Sequence, residues 1–223
     1  MKNTLVFTGG YSLTTTLGTG EVVSGKGEGI YVFRLNNETG ALTKLSVLRG
    51  EPNPTFLAID RTKRYLYAAN ELKSYSSLET GAFSSYAIDA ENGVLSLLNR
   101  RISGGTDPAF ITINDENTYA LICNYMSGSS GMLPLEKDGS LGKLTCFLQH
   151  KGSSVDIVRQ TGPHAHGFIL DKENNRGFVP DLGTDELVVY DIDWEKGYLK
   201  TRENNPKTAP EAWAWRDMKS APV

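Results

Sequence analysis

Two histidines lie two residues apart in the stretch RQTGPHAHGF, residues 159–168, in a chain of 223 residues that has only three histidines. On a β-strand, residues i and i+2 face the same side, so His164 and His166 would point toward one site. Two adjacent imidazoles can relay or share a proton near neutral pH, which suits general acid–base catalysis. The alternatives are hydrogen bonds from each imidazole to neighbouring backbone, or a His-x-His metal site.

The chain repeats two kinds of unit that could position these histidines. The first unit is an alternating apolar stretch, an Asp or Asn turn and then Gly-x-Leu. It occupies residues 29–42, 82–95 and 186–199, and a less regular copy occupies residues 131–141. The second unit is a proline, an apolar strand, an acidic turn and another strand; it occupies residues 53–71, 107–125 and 162–181. The prolines of this unit are 54 and 55 residues apart: Pro54, Pro108 and Pro163.

Each unit has the pattern of a two-stranded hairpin. Apolar residues alternate at period two, β-branched and aromatic side chains dominate, and the turns carry Asn, Asp and Gly. Two hairpins make a four-stranded sheet of about 50 residues, and sheets that repeat at roughly this period are typical of a β-propeller. A β-sandwich is the alternative, but it gives no reason for repeats that keep their register. The sequence therefore predicts an all-β propeller of four-stranded blades.

Ligands of a propeller usually sit at one mouth of the channel that the innermost strands enclose. The proline-led strands are the candidates for this position, and only the third repeat begins with imidazoles. The second strands end on polar residues: Asn70-Glu71, Asn124-Tyr125 and Pro180-Asp181. From these we expect Glu71, Asn124, Tyr125 and Asp181 to wall the site. Asp181, with Asp185 in the stretch PDLGTDE, could instead fix a turn.

The composition excludes several classes of partner. A formal net charge of −3, 39% hydrophobic residues and the absence of a basic cluster argue against a nucleic-acid surface. No apolar run approaches the roughly 20 residues of a membrane helix. The stretch MKNTLVFTGGYS is expected to be a first strand rather than a signal peptide, which predicts a cytoplasmic location. In that setting Cys123 and Cys146 are expected to be reduced thiols.

The stretch GSSVDIVRQTGPHAHGF, followed by VPDLGTDELVVYDID, closely resembles the seven-bladed propeller lactonase family. The stretches NPTFLAIDRTKRYLYAANE and CNYMSGS, and FTGGY followed by GIYVFRLNNETGAL, also match the family pattern. The resemblance implies a seven-bladed design, of which this chain supplies about four blades as an incomplete arc. It also implies hydrolysis of a sugar lactone, best known as 6-phosphogluconolactonase activity in the pentose phosphate pathway, with carboxymuconate cyclase as a fungal relative.

The reaction that this resemblance implies is ring opening by water, with negative charge developing on the carbonyl oxygen. Such a site needs a base, for which His164 is the first choice and His166 the second. Arg159 could hold the oxyanion or a substrate phosphate, since a guanidinium matches both in bidentate fashion. Gln160 could bind sugar hydroxyls or cap a turn, and Glu71 could be a second acid/base or a hydroxyl acceptor. The resemblance implies no metal and no other cofactor.

The resemblance predicts a partial propeller domain over residues 1–207 and a divergent tail over residues 208–223. The family continues there with a Gly-Pro-Arg-His strand start and a strand ending in Asn-Glu, whereas this chain reads TAPEAWAWRDMKSAPV. Two other functions compete with a lactonase acting on a small sugar lactone: a carboxymuconate-type cycloisomerase and a non-catalytic propeller scaffold. Open blade edges in an incomplete arc also predict self-association.

Overall fold

A computed structural model describes residues 3–171, 173, 175–203 and 206 of the chain. Every regular element within these residues is a β-strand, as the alternating pattern predicts. The predicted C-terminal tail, residues 208–223, lies outside the described residues, so the domain boundary after residue 207 stays a prediction.

The first blade is a three-stranded sheet with a separate two-stranded hairpin beside it. The strands of this region are β1 Asn3–Thr8, β2 Thr14–Thr16, β3 Val22–Ser24, β4 Gly29–Asn36 and β5 Leu42–Arg49. The sheet has the order β1-β4-β5, and β2 pairs with β3 in the hairpin.

The other three blades are four-stranded antiparallel sheets whose strands pair in chain order. The second blade has β6 Pro54–Ile59, β7 Tyr65–Asn70, β8 Ala82–Asp89 and β9 Val94–Ile102. The third has β10 Pro108–Ile113, β11 Tyr119–Asn124, β12 Ser129–Pro134 and β13 Cys146–Gln149. The fourth has β14 Ile169–Leu170, β15 Arg176–Asp181, β16 Glu186–Asp193 and β17 Tyr198–Thr201.

The two repeated sequence units correspond to the two halves of a blade. The proline-led unit forms the first and second strands, and the Gly-x-Leu unit forms the third and fourth. The turn glycines of the Gly-x-Leu units all have positive φ, which a glycine adopts without steric cost: Gly40, Gly93, Gly139 and Gly197. The local turn chemistry therefore closes each outer hairpin where the sequence pattern predicts it.

Apolar residues on both faces of the middle strands hold neighbouring blades together. Leu66 and Tyr67 are consecutive in β7, yet Leu66 belongs to a core with Ile30 of the first blade and Tyr67 to a core with Ile111 of the third. A further core joins Leu121 of the third blade to side chains of the fourth. Alternating side chains thus enter two interblade cores, which gives these strands their near-continuous apolar runs.

The proline-led strand of the fourth blade is less regular than the repeat predicts. Its ladder is reduced to an isolated bridge between Ala165 and Asp181 and the two residues of β14. Pro180 in the facing strand has no N–H to donate, although its carbonyl accepts a hydrogen bond from the amide of His166 at 3.2 Å. The register also shifts between the bridge and β14, so the histidine segment is extended but only partly paired.

In the first blade, β1 occupies the position that the second strand holds in the other blades. It pairs with β4 as β7 pairs with β8, and among the described residues no strand pairs with its other edge.

The predicted self-association through this open edge of β1 stays a prediction. We expect sedimentation velocity to show concentration-dependent dimers and Thr8→Lys, a charge at the end of this edge, to weaken them. A monomer at all concentrations would contradict it.

Candidate functional site

A cavity of about 260 Å³ lies where the proline-led strands begin and the second strands end. It receives side chains from all four blades, so the repeats converge on one place as their register requires. Its polar lining consists of Tyr11, Thr55, Glu71, Asp107, Tyr125 and His166.

On the first-blade side, a tyrosine and a glutamate form one wall of the cavity. The Tyr11 hydroxyl donates to Glu71 Oε1 at 2.5 Å. Burial, this hydrogen bond and the negative charge of Glu71 all raise the pKa of Tyr11, so its hydroxyl remains a donor. Asn53, which precedes the first repeat proline, accepts the amides of Ser12 and Leu13 at 3.0 and 2.8 Å. Asn53 thereby holds the loop that carries Tyr11 over the cavity.

Asp107, which precedes the second repeat proline, lies between the second and third blades. Its side chain is buried, and Oδ2 accepts a hydrogen bond from Lys73 Nζ at 2.6 Å. Its backbone carbonyl accepts the amide of Tyr125 at 2.8 Å, which ties it to the end of β11. Its φ of 51° is unusual for a residue other than glycine. The Asp107 side chain lines the cavity.

Tyr125 is the contact point for the predicted catalytic residues. The ring of His164 stacks on Tyr125 with centroids 4.8 Å apart, and the ring of His166 meets it edge-on at 5.4 Å. Arg159 donates from Nη2 to the Tyr125 hydroxyl at 2.8 Å. Gly18, in the turn between β2 and β3, lies so close that a Cβ atom there would be 2.7 Å from the Tyr125 ring. The hairpin thus covers the tyrosine.

The two imidazoles face the same side, as the i, i+2 spacing predicts. Both contact Tyr125, while the Ala165 side chain between them is fully buried in the core. His164 Nδ1 lies 3.0 Å from the backbone carbonyl oxygen of Tyr125. Since a carbonyl only accepts, Nδ1 carries a proton, and in the neutral ring Nε2 is the basic nitrogen. His166 is exposed and lines the cavity, whereas His164 is not among the lining residues.

Three of the predicted substrate-binding residues, Asn124, Gln160 and Asp181, have side chains that make hydrogen bonds inside the protein and do not line the cavity. Asn124 is fully buried and donates to the Ser103 carbonyl at 3.2 Å and to Ser129 Oγ at 3.0 Å. Gln160 is also buried, and its amide nitrogen donates to Asp185 Oδ1 at 2.7 Å. Both side chains are held by hydrogen bonds inside the protein, and neither lines the cavity.

Asp181 fixes a turn, which is the alternative that the sequence left open for it. Its Oδ1 accepts the backbone amides of His164, Gly183 and Thr184 at 2.7, 2.9 and 3.2 Å. Its side chain is almost completely buried and lies outside the cavity lining. Asp181 therefore acts on the site through the backbone of His164 and not by direct contact with a ligand.

Sequence reasoning missed His150, the third histidine. It lies at the end of the outer strand of the third blade, buried, with Nδ1 2.6 Å from Asp181 Oδ2. Its Nε2 is 2.6 Å from the Tyr190 hydroxyl and 3.1 Å from Ser130 Oγ. No sequence motif marks His150. In the structure, Glu51, one residue past the register position of His150 in the first blade, makes a similar interblade contact with Asn70, the counterpart of Asp181.

The described part of the chain contains no cluster of three or more His, Cys, Asp or Glu side chains that could hold a metal ion. Within the same residues, no helix is long and apolar enough to span a membrane. Cys123 and Cys146 are both buried and unpaired as thiols, and burial raises the pKa of each.

Comparisons with known proteins agree with this architecture. A family model described as "Lactonase, 7-bladed beta-propeller" matches residues 13–212. A 6-phosphogluconolactonase of Bacillus subtilis is 31% identical over 193 residues, which are 86% of this chain and 53% of the relative. A 6-phosphogluconolactonase of Formosa agariphila is 31% identical over 160 residues, 71% of this chain and 44% of the relative. This chain thus spans about half the length of these relatives.

Solved structures show the same fold. A candidate 6-phosphogluconolactonase from Bacteroides fragilis superposes with a TM-score of 0.81 at 30% identity, over 94% of this chain and 56% of the other. The periplasmic gluconolactonase PpgL of Pseudomonas aeruginosa gives 0.79 at 26% identity, over 92% and 55%. The prediction of an all-β arc of propeller blades is confirmed. By sequence and by fold, the chain belongs to the seven-bladed β-propeller lactonase family.

Proposed function

We propose that this chain carries the part of a lactonase site that hydrolyses a sugar lactone, with 6-phosphogluconolactone as the first substrate to test. The observation that supports this is the cavity in which His166, Tyr125 and Glu71 meet from three different blades. Relatives and solved structures named for lactonase activity support the class of reaction. Placing the reaction in the pentose phosphate pathway of the cytoplasm is part of the same proposal.

The chemical step begins with a water molecule attacking the lactone carbonyl carbon. A histidine accepts one proton of the water as the new C–O bond forms, and the carbonyl oxygen becomes an oxyanion. Collapse of this intermediate breaks the bond between the carbonyl carbon and the ring oxygen. The histidine returns its proton to that oxygen, which becomes a hydroxyl of the opened chain, and the histidine is back in its starting state. The product is the open-chain acid, whose new carboxyl group ionises and releases one proton to the solvent.

Access to the cavity favours His166 over His164 as the residue next to the lactone. The sequence alone put His164 first, and both rings contact Tyr125, but only His166 is among the cavity-lining residues. His164, with Nδ1 held by the Tyr125 carbonyl, presents the opposite nitrogen for proton exchange. We therefore propose His166 as the base and His164 as its partner in proton transfer.

Arg159 is the proposed positive charge for the oxyanion or phosphate, and it lies behind Tyr125 rather than among the residues that line the cavity. One terminal nitrogen donates to the Tyr125 hydroxyl, which fixes the guanidinium beside the two imidazoles. Its buried Nε has no hydrogen-bond partner among the described residues. A guanidinium with an unused donor suits an oxyanion or a phosphate oxygen, and its charge stabilises either one.

The test is the hydrolysis rate of the purified chain with 6-phosphogluconolactone, D-glucono-1,5-lactone and a carboxymuconate, each corrected for spontaneous reaction. We expect both sugar lactones to open faster than in buffer, with release of one proton per turnover measured in a pH-stat. Conversion of the carboxymuconate alone would support a cycloisomerase instead. Rates equal to buffer for all three compounds would contradict the proposed enzyme activity and leave a non-catalytic scaffold.

A further inference from the structure

We propose that Thr55, Glu71 and Asp107 form a subsite that binds adjacent hydroxyl groups of a polyhydroxylated lactone. This deepens the proposed function and rests on it for the identity of the reaction. The three residues come from the first strand of the second blade, the end of its second strand, and the turn before β10, and all of them line the cavity.

Two buried oxygen atoms at the cavity have unused hydrogen-bonding capacity. Asp107 is 3% exposed, and its Oδ1 has no hydrogen-bond partner among the described residues. Thr55 Oγ1 is buried and likewise without a partner in that part of the chain. Buried polar atoms are nearly always hydrogen-bonded, because leaving one unpaired forfeits its solvation. A ligand that brings donors into the cavity would satisfy both atoms.

The repeat provides an internal comparison for Asp107. Asn53 occupies the equivalent position before the first repeat proline, and it too has positive φ. The Asn53 side-chain oxygen is used by two loop amides, and its nitrogen donates to the Glu71 carbonyl at 3.0 Å. Among the described residues, no loop amide donates a hydrogen bond to Asp107 Oδ1. The second repeat thus keeps the same backbone but leaves one carboxylate oxygen for another donor.

The chemistry of the three side chains fits hydroxyl donors. Ionised Asp107 and Glu71 act only as acceptors, and a carboxylate has about four lone-pair sites, so Glu71 can accept more than the Tyr11 hydroxyl. Thr55 can donate or accept. Adjacent hydroxyls of a sugar ring present two or more donors at the spacing of neighbouring carbon atoms, which suits a pair of carboxylate acceptors.

The charge of the subsite argues against an anionic group within it. Lys73 neutralises one carboxylate, but after burial, the hydrogen bond to Glu71 and the negative charges of Glu71 and Asp107 also raise the pKa of Tyr11. A substrate phosphate would face these carboxylates at close range and be repelled. We therefore place the neutral, hydroxylated face of the lactone here and any phosphate toward Arg159.

The test compares two lactones that differ in their hydroxyls. The wild-type protein should hydrolyse D-glucono-1,5-lactone with a higher kcat/KM than δ-valerolactone, which has no hydroxyl group. Thr55→Val and Asp107→Asn should each lower this ratio about tenfold, since the first removes a hydroxyl and the second replaces the unpartnered acceptor Oδ1 with an NH2 group that cannot accept a hydroxyl proton. Thr55→Ser keeps the hydroxyl and should restore the ratio. Exposed Thr43→Val and Asp115→Asn serve as matched controls that leave it unchanged.

A binding measurement separates this subsite from the enzymatic proposal. Calorimetric titration with D-glucono-1,5-lactam, a neutral analogue that resists hydrolysis, should show binding that Thr55→Val and Asp107→Asn weaken about tenfold. If no lactone is hydrolysed yet the lactam still binds in this pattern, the subsite stands while the proposed reaction fails. If folded Thr55→Val and Asp107→Asn proteins keep the wild-type lactone ratio and lactam affinity, the subsite is refuted.

Discussion

Replacing His166 with alanine is expected to lower kcat/KM for the sugar lactone about 10²–10⁴-fold, the contribution typical of a general base. The ring lines the cavity and meets Tyr125 edge-on, so its removal takes the proposed proton acceptor away from the attacking water. Because His166 is exposed, the substitution leaves no large buried cavity, and we expect the thermal unfolding midpoint to stay near the wild-type value.

The comparison with His164→Ala distinguishes the two imidazoles. His164 stacks on Tyr125 and lies outside the cavity lining, so its loss should reduce the rate less than the loss of His166. Ile169→Ala is a matched control, because Ile169 follows in the same segment and its side chain is 59% exposed. Initial rates need subtraction of spontaneous hydrolysis. Equal rates for wild type and His166→Ala would remove the assignment of His166 as the base.

The sequence predicted the blades because each strand and each turn of a blade depends on residues that are close together in the sequence. Each turn needs its own Asn, Asp or Gly, and each strand needs its own alternation, so the pattern survives in the chain whatever lies around it. The shared direction of His164 and His166 is equally local, since it follows from the two-residue spacing on extended backbone. These features depend on neighbours in sequence, so the sequence alone predicts them.

The wall residues were harder to predict because one residue of register reverses the side that a side chain faces. Asn70, Asn124 and Asp181 all end a second strand and pair with the first residue of the third strand. All three are buried, and the cavity is lined by the residues that follow the first two, Glu71 and Tyr125. When the repeats of this chain are aligned by sequence, Asp181 falls opposite Glu71 instead of Asn70. A buried structural residue was therefore predicted to line the site.

The remaining site residues depend on contacts between blades, which a repeat pattern does not contain. Tyr11 reaches Glu71 across 60 residues of sequence, and Arg159 reaches Tyr125 from a loop without regular structure. His150 has no motif around it, and its importance comes from Asp181 in the next blade. Such partners become visible only when the curvature of the arc brings neighbouring blades together.

The buried pair of His150 and Asp181 leads to the second large effect. Asp181→Ala is expected to lower the free energy of unfolding by about 3–5 kcal/mol, since it leaves a buried partner and several backbone amides unpaired. The lost contacts are the 2.6 Å contact with His150 and the amides that Oδ1 accepts, including that of His164. Loss of the His164 contact should also loosen the segment that carries both imidazoles.

Two comparisons separate these contributions in urea unfolding at neutral pH. Asp181→Asn keeps an oxygen for the backbone amides and resembles Asn70 and Asn124 in the other blades, so it should cost less than the alanine variant. Asn124→Ala removes the repeat-equivalent side chain, which makes two hydrogen bonds, and should cost about 1–3 kcal/mol. If Asp181→Ala destabilised the protein no more than Asn124→Ala, the His150–Asp181 pair would add no stability beyond the hydrogen bonds that a side chain at the end of a second strand ordinarily makes. The larger loss is expected because Asp181, unlike Asn124, joins a buried imidazole of one blade to the backbone of a proposed catalytic segment in the next.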